Sequence, residues 1–238
     1  TKTDSLPTAV KDELKRLKVK EVTLIGGEGA ISPMVEMELK GLNIKTTRIN
    51  GKNRYETSVN IAKQMKTSTQ AVVATGSTFA DALSIAPVAG SQKMPILLTK
   101  PNALPAEVKA HFAAKTYSKT FVVGGKGAVS DSTAKELKNP VRLSGASRYE
   151  TNSAIINHFK ASFAGQEMYL STGANYPDAL AGSVLAAKTK APLVLTSPNG
   201  PSAATVKTVQ TQLNTVTGIY ILGGEGALPT QSIQQLFE

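Results

Sequence analysis

The sequence predicts an α/β protein made of small tandem modules, each an open parallel sheet, in about two and a half repeats. Three observations carry that expectation. Strand-like and helix-like stretches alternate along the chain. The strand-like stretches are continuous apolar runs rather than in/out alternations, as strands covered on both faces require. And one segment occurs three times, as Val22-Thr-Leu-Ile-Gly-Gly-Glu-Gly-Ala-Ile-Ser32, Phe121-Val-Val-Gly-Gly-Lys-Gly-Ala-Val-Ser130 and Tyr220-Ile-Leu-Gly-Gly-Glu-Gly-Ala-Leu-Pro229. The glycine pairs begin at Gly26, Gly124 and Gly223, spacings of 98 and 99 residues. Solenoid units run roughly 20–50 residues, so this period is that of a small domain.

The period from Lys45 to Asn139 reads as follows. Thr46 to Ile49 is extended and turns through Asn50-Gly51 into a helix from Arg54, with Val59, Ile61, Ala62 and Met65 near helical spacing. Ala71 to Thr75 is a β-rich run stopped by Gly76, and Ala80 to Ala89 a helix of small residues. Pro95 to Thr99 is the next strand, followed by a helix from Pro105 to about Ala114. Thr120 to Val123 is a buried strand closed by Gly124-Gly125, and a last helix runs from Ser130 to about Leu137. The final copy repeats the order, with strands at 168–172, 192–196 and 218–222 and helices at 148–159, 178–187 and 203–213. The first copy starts halfway, since Thr1 to Pro7 aligns with Thr99 to Pro105. The expected organisation is a half-module over 1–44 and whole modules over 45–139 and 140–238, with residues upstream of Thr1 completing the first module in the native protein.

Composition narrows the function. Apolar residues make up 41% and charged residues 18%, enough for a true core, and no apolar run reaches membrane-span length. No secretion signal opens the chain, as in the mature part of an exported protein. There is no cysteine, which excludes a disulfide framework and cysteine-ligated metal. His111 and His158 stand where other copies have Glu13 and Gln64, so they read as solvated or helix-surface residues rather than a shared site. No metal, cofactor or catalytic set is expected. A net charge of +10, mostly lysine, favours a polyanionic partner. Aromatics at 5%, no tryptophan and no tight basic cluster set nucleic acid lower.

Four motifs recur. Arg48-Ile-Asn-Gly-Lys-Asn-Arg-Tyr-Glu-Thr57 matches Arg142-Leu-Ser-Gly-Ala-Ser-Arg-Tyr-Glu-Thr151. Its arginines Arg48, Arg54, Arg142 and Arg148 and its tyrosines Tyr55 and Tyr149 either face an anionic ligand or tie down the loop. In the second motif, Asp81 and Asp178 stand where a helix follows a strand and a glycine turn. Each caps that helix or accepts hydrogen bonds from sugar hydroxyls at the ligand-binding edge of a parallel sheet. The third motif is Pro95, Ile96, Leu97, Leu98 and Thr99, matched by Pro192 to Thr196. Its centre reads as core strand, with Thr99 and Thr196 able to face a ligand. The fourth, Gly-Gly-x-Gly-Ala, lacks the spacing of a dinucleotide or P-loop fingerprint, and its variable position alternates Glu28, Lys126, Glu225. It reads as a strand–turn–helix joint. No nucleophile elbow, zinc-protease motif or serine/histidine/aspartate set is present.

Taken in order, these four motifs resemble the cell-wall-binding repeat type 2 family of Gram-positive bacteria across essentially the whole chain. The resemblance implies α/β modules of Rossmann- or toprim-like type, usually three tandem copies around a pseudo-threefold axis. It also implies non-catalytic, non-covalent anchoring of a surface protein or wall hydrolase to an anionic wall glycopolymer, teichoic-acid-like or a secondary polysaccharide, outside the cell. It associates Pro95–Leu98, and with changed residues Pro192–Leu195, with polymer binding. A fused or associated hydrolase or surface-layer protein is the implied companion. The competing readings are a nucleotide- or phosphometabolite-binding protein and a platform for protein–protein contacts.

Overall fold

The computed structural model describes residues 1–65 and 68–238. It divides into two compact units, Thr1–Gln64 and Met65–Glu238.

In the first unit, α1 (Thr8–Arg16), β1 (Glu21–Ile25), α2 (Pro33–Gly41), β2 (Lys45–Ile49) and α3 (Arg54–Gln64) follow one another. β1 and β2 pair in parallel with Leu24 opposite Arg48. Leu6, Leu24, Val35, Leu39 and Ile44 form the core beneath them. Ser32 precedes α2 in extended conformation and Pro33 opens it, because proline's missing N–H is no loss at a first helical position. Asn43, at φ 59°, turns the chain out of α2 in the left-handed region that asparagine tolerates.

The second unit holds two parallel sheets. β3 (Gln70–Thr75), α4 (Ala80–Ser91), β4 (Ile96–Thr99), α5 (Ala106–Ala114), β5 (Lys119–Val123), α6 (Asp131–Lys135) and β6 (Pro140–Leu143) build a sheet in the order β4-β3-β5-β6. After α7 (Arg148–His158) come β7 (Glu167–Thr172), α8 (Pro177–Thr189), β8 (Leu193–Thr196), α9 (Ala203–Leu213), β9 (Gly218–Leu222) and α10 (Thr230–Gln234), with sheet order β8-β7-β9. The expected α/β class, alternation and parallel pairing all hold. α4 continues two residues past the expected end and passes through Pro87.

Sequence period and sheet membership are offset. The strand that opens a sequence period is hydrogen-bonded to the last strand of the period before it, β2 to β1 and β6 to β5. The helix that follows β6 then packs on both sheets of the second unit. On one side, Ile155 and Phe159 of this segment join Val72, Phe121 and Leu143 in a core. On the other, the fully buried Asn152 donates Nδ2–H to the Leu193 carbonyl at 3.0 Å and accepts the Leu195 N–H at 2.9 Å. One side-chain amide thereby substitutes for a neighbouring strand along the edge of β8. α4 and α8 also pack together, so closely that a Cβ on Gly90 would lie 2.9 Å from the Ala187 Cβ.

The histidines correct one expectation. His111 is buried, with Nε2 2.8 Å from the Tyr117 hydroxyl, rather than solvated. Burial pushes the Tyr117 phenol up to about 12. His158 stacks edge-on against Phe121 and Phe159. Aromatic neighbours account for both.

Candidate functional site at the sheet edge

The chain crosses β3→α4→β4 to one side of β3 and returns to β5 and β6 on the other. The crossover therefore reverses between β3 and β5, and at such a reversal open α/β sheets leave a crevice at the carboxyl ends of their strands. A cleft of about 280 Å³ lies there, lined among others by Thr78, Asp81, Gly125, Gly127, Ser147 and Arg148.

Asp81 enters it from the first turn of α4. It caps nothing: the residue before the helix is Phe79, and no side-chain cap bond is made. The carboxylate instead lies against Gly124, where an added Cβ would strike Oδ2. Burial raises its carboxyl above the ordinary value, and the Arg148 charge opposes that in part. Asp178 repeats the arrangement over Gly223, 2.7 Å from the position of a Cβ there.

Arg148 is the first residue of α7. Ser147 and Glu150 close a capping box around that helix start. With its backbone so held, Arg148 donates Nη1–H to the Gly173 carbonyl at 2.7 Å, and its guanidinium sits 5.6 Å over the Phe79 ring. Tyr149 packs against the same Gly173 turn, leaving no room for a side chain there. This arginine–tyrosine pair thus joins the carboxyl edges of the two sheets, beside Asp81. The corresponding Arg54 is exposed and Tyr55 half-buried in the first unit, where Asn53 Oδ1 caps α3 by accepting two backbone N–H bonds at 2.9 Å.

The other predicted arginines are engaged internally. Arg48 donates to the Gly26 carbonyl at 2.7 Å and to Glu36 at 2.8 Å. Arg142 donates to the Gly124 carbonyl at 2.9 Å and to Asp131 at 3.1 Å. Each staples the strand it sits on to the preceding glycine turn. Asp131 is also paired with Lys126, which together with Arg142 holds its carboxyl below the usual range.

The Pro-Ile-Leu-Leu-Thr strands lie mostly inside. Pro95, Leu97 and Thr99 are buried, Ile96 and Leu98 half-buried, and Pro192 to Thr196 wholly buried. Thr99 Oγ1 is 3.1 Å from the carbonyls of Lys100 and Ala103, whereas Thr196 Oγ1 has no partner among the described residues. Sequence reasoning did not single out Phe79, Ser147 or Asn152. A signal existed for Phe79: Tyr176 holds its place in the next copy, and the two rings meet at 5.5 Å. Among the described residues no cluster of histidine and carboxylate groups suits a metal ion, and no helix is long and apolar enough to cross a membrane.

Tandem parallel α/β units with repeated arginine, aspartate and glycine-turn elements define a repeat-built binding protein. Residues 48–134 and 142–233 match the cell wall binding domain 2 (CWB2) family, and the chain belongs to it. It is similar to N-acetylmuramoyl-L-alanine amidase LytC of Bacillus subtilis (strain 168), 34% identical over 236 residues covering 99% of this chain and 47% of the relative. It is also similar to the amidase enhancer of the same strain, 33% identical over 207 residues, 86% of this chain and 28% of the relative. Among solved structures, Cwp8 from Clostridium difficile superposes with a TM-score of 0.84 at 30% identity over 99% of this chain and 41% of that one. Cwp6 from the same organism gives 0.84 at 28% identity, over 93% and 36%. The chain thus spans less than half the length of these relatives. It is a cell-wall-binding module of Gram-positive type, and the nucleotide-binding alternative is not favoured.

Proposed function

We propose that this chain is a non-catalytic anchor for an anionic wall glycopolymer, teichoic-acid-like or a secondary polysaccharide, and that the cleft between β3 and β5 is a point of contact. The observation that carries this reading is the placement of Arg148 and Asp81 beside the glycine turn at the sheet's ligand edge. A guanidinium offers a planar fork to phosphate or carboxylate, and the carboxylate accepts from sugar hydroxyls. Phe79 and Tyr176 add apolar faces nearby for a sugar ring. The excess of ten positive charges supports the same partner by long-range attraction. Among the residues lining the cleft Asp81 is the one carboxylate, whereas glycoside hydrolysis ordinarily needs a pair, which supports binding without chemistry.

In this reading the sequence modules 1–44, 45–139 and 140–238 supply several weak sites whose linkage raises avidity. Arg54 and Tyr55 are the equivalents of Arg148 and Tyr149 in the first unit, and Asp178 is that of Asp81. Arg48 and Arg142 set the glycine turns, and the Pro95–Thr99 and Pro192–Thr196 strands hold the sheet edge from within. The names of the two Bacillus relatives support a wall hydrolase, fused or associated, as the companion outside the cell. The test is sedimentation of the protein with purified walls, before and after the phosphate-containing polymer is stripped. Binding that disappears with the polymer, and that weakens in salt, is expected. Binding indifferent to stripping would sink the proposal.

A further inference from the structure

Three equivalent strands end in a glycine, and two of those glycines are bracketed alike. The Gly26 N–H donates to the Ile49 carbonyl at 2.9 Å, and its own carbonyl accepts from Arg48 Nη1 at 2.7 Å. The Gly124 N–H donates to the Leu143 carbonyl at 2.9 Å, and its carbonyl accepts from Arg142 Nη1 at 2.9 Å. In both, an added parallel strand supplies the arginine and the carbonyl just after it. Gly223 closes β9 with the same left-handed φ, +112° against +123° and +105°. It has neither partner among the described residues.

The rest of β9 has the same vacancy. β9 is an edge strand, paired with β7 alone, whereas β5 lies between β3 and β6. Thr120 and Gly124 send their N–H groups to β6, so alternate residues of β5 face it, and the equivalents in β9 are Ile219, Ile221 and Gly223. Val122, at the middle of that face, is fully buried, while its counterpart Ile221 is 46% exposed. Phe121 is covered by Phe159 at 4.9 Å, at the end of α7, but its counterpart Tyr220 is 49% exposed. A carboxylate also stands near, at the position of Lys126 rather than of Asp131. Glu225 accepts from the N–H and hydroxyl of Thr230, the residue in the place of Asp131.

We propose that the open edge of β9 is a seat for a polypeptide, a β–α segment of the repeat's own Arg-x-x-Gly-x-x-Arg-Tyr-Glu-Thr type. It enters parallel to β9 with its first arginine opposite Ile221 and its guanidinium on the Gly223 carbonyl and Glu225. Backbone bonds of the added strand supply affinity, as in other strand additions. The arginine fixes register, because a one-residue slip carries it away from the glycine. The helix of the segment lies over Tyr220, as α7 lies over the β5 sheet.

The experiment appends residues 139–160 to the C terminus of the 238-residue chain through a flexible Gly/Ser linker, which places the segment at roughly millimolar effective concentration. Amide hydrogen exchange is read at Ile219, Ile221 and Gly223. At least about a tenfold slowing is expected relative to the unmodified chain, with most of it lost when the arginine of the appended copy is replaced by alanine. A second variant, Ile221→Pro, removes one outward N–H while sparing the bonds to β7, a place where an edge strand tolerates proline. It is expected to stay folded and to lose the protection. Unchanged exchange in the extended chain would overturn the proposal, and so would protection that survives both variants.

Discussion

The carboxylate of Asp81 rests on the α-carbon of Gly124, and the same contact recurs between Asp178 and Gly223. Gly124 sits at φ +105°, so glycine is required there twice, by backbone conformation and by the oxygen above it. Gly124→Ala is therefore expected to cost about 2–4 kcal/mol, from left-handed strain plus a displaced carboxylate. Gly125 and Gly127, a residue or three further along the turn, have open space where a Cβ would go and ordinary φ. Alanine at either should stay within about 0.5 kcal/mol of the parent. Urea unfolding of the three variants checks this, and equal losses at all three would contradict it.

Asp81 also ties stability to pH. Burial raises its folded-state carboxyl above the unfolded value of 3.8, with Arg148 opposing. The contribution of this group is fully present below 3.8 and is lost as pH rises through the raised folded value. At neutral pH the buried charge is a cost, so Asp81→Asn should raise Tm at pH 7. The gain should shrink toward pH 3.5, where aspartate is itself protonated. A variant that loses more stability at pH 7 than at pH 3.5 would show that the Arg148 attraction outweighs burial.

How much of this was legible in the sequence depends on what a repeat can encode. Continuous apolar runs such as Ala71 to Thr75 and Pro95 to Thr99 announce buried parallel strands directly, because burial on both faces selects their composition. The period was equally plain. Its phase was not: a repeat of 98 residues reads the same wherever counting starts. Only the β1–β2 and β5–β6 ladders show that each opening strand belongs to the preceding sheet. Arg48 and Arg142 stood out as charged residues, but their glycine carbonyl partners lie 22 and 18 residues away, beyond any local pattern. Asp81 looked like a helix cap because caps and first-turn residues differ by a position or two, and geometry alone separates them. His111 gave no sign of its tyrosine partner, since a helix periodicity does not say what a later strand lays across it.

Asn152 is expected to be worth more to folding than any charged pair on the surface. Replacement by alanine leaves the Leu193 carbonyl and the Leu195 N–H buried and unpaired, a loss of about 2–4 kcal/mol. Asn152→Asp removes the donor to Leu193 and adds a buried charge, so it should be worse at pH 7 than at pH 4. Thermal unfolding at the two pH values provides the comparison.

Tyr117 sets an alkaline limit. Its phenol, pushed up to about 12 by burial beside His111, ionises later in the folded chain than in the unfolded one near 10. Its stabilisation is complete below about 10 and is lost as pH rises toward 12. Tyr117→Phe should flatten that fall while giving up the hydrogen bond to His111, so the variant starts less stable at pH 8 and converges with the parent above about pH 11. Denaturant midpoints across this range test the crossing, and parallel curves would assign the alkaline loss to other groups.

Arg148 offers the sharpest separation of scaffold from binding. Its bond to the Gly173 carbonyl and its place over Phe79 are structural, whereas the guanidinium face beside Asp81 is the part a polymer anion would meet. Arg148→Lys keeps the charge but loses the planar fork. If the cleft binds an anion through that fork, the lysine variant should weaken wall binding several-fold while its salt dependence stays near the parent's. Arg148→Ala should weaken binding further and flatten the salt dependence, because a cation is gone. Both variants must first show a parent-like circular dichroism spectrum and a Tm within a few degrees, since the Gly173 contact is lost in alanine. Wall sedimentation from 50 to about 500 mM salt then decides: folded variants that bind as the parent does would remove Arg148 from the polymer site and leave it as the link between the two sheets.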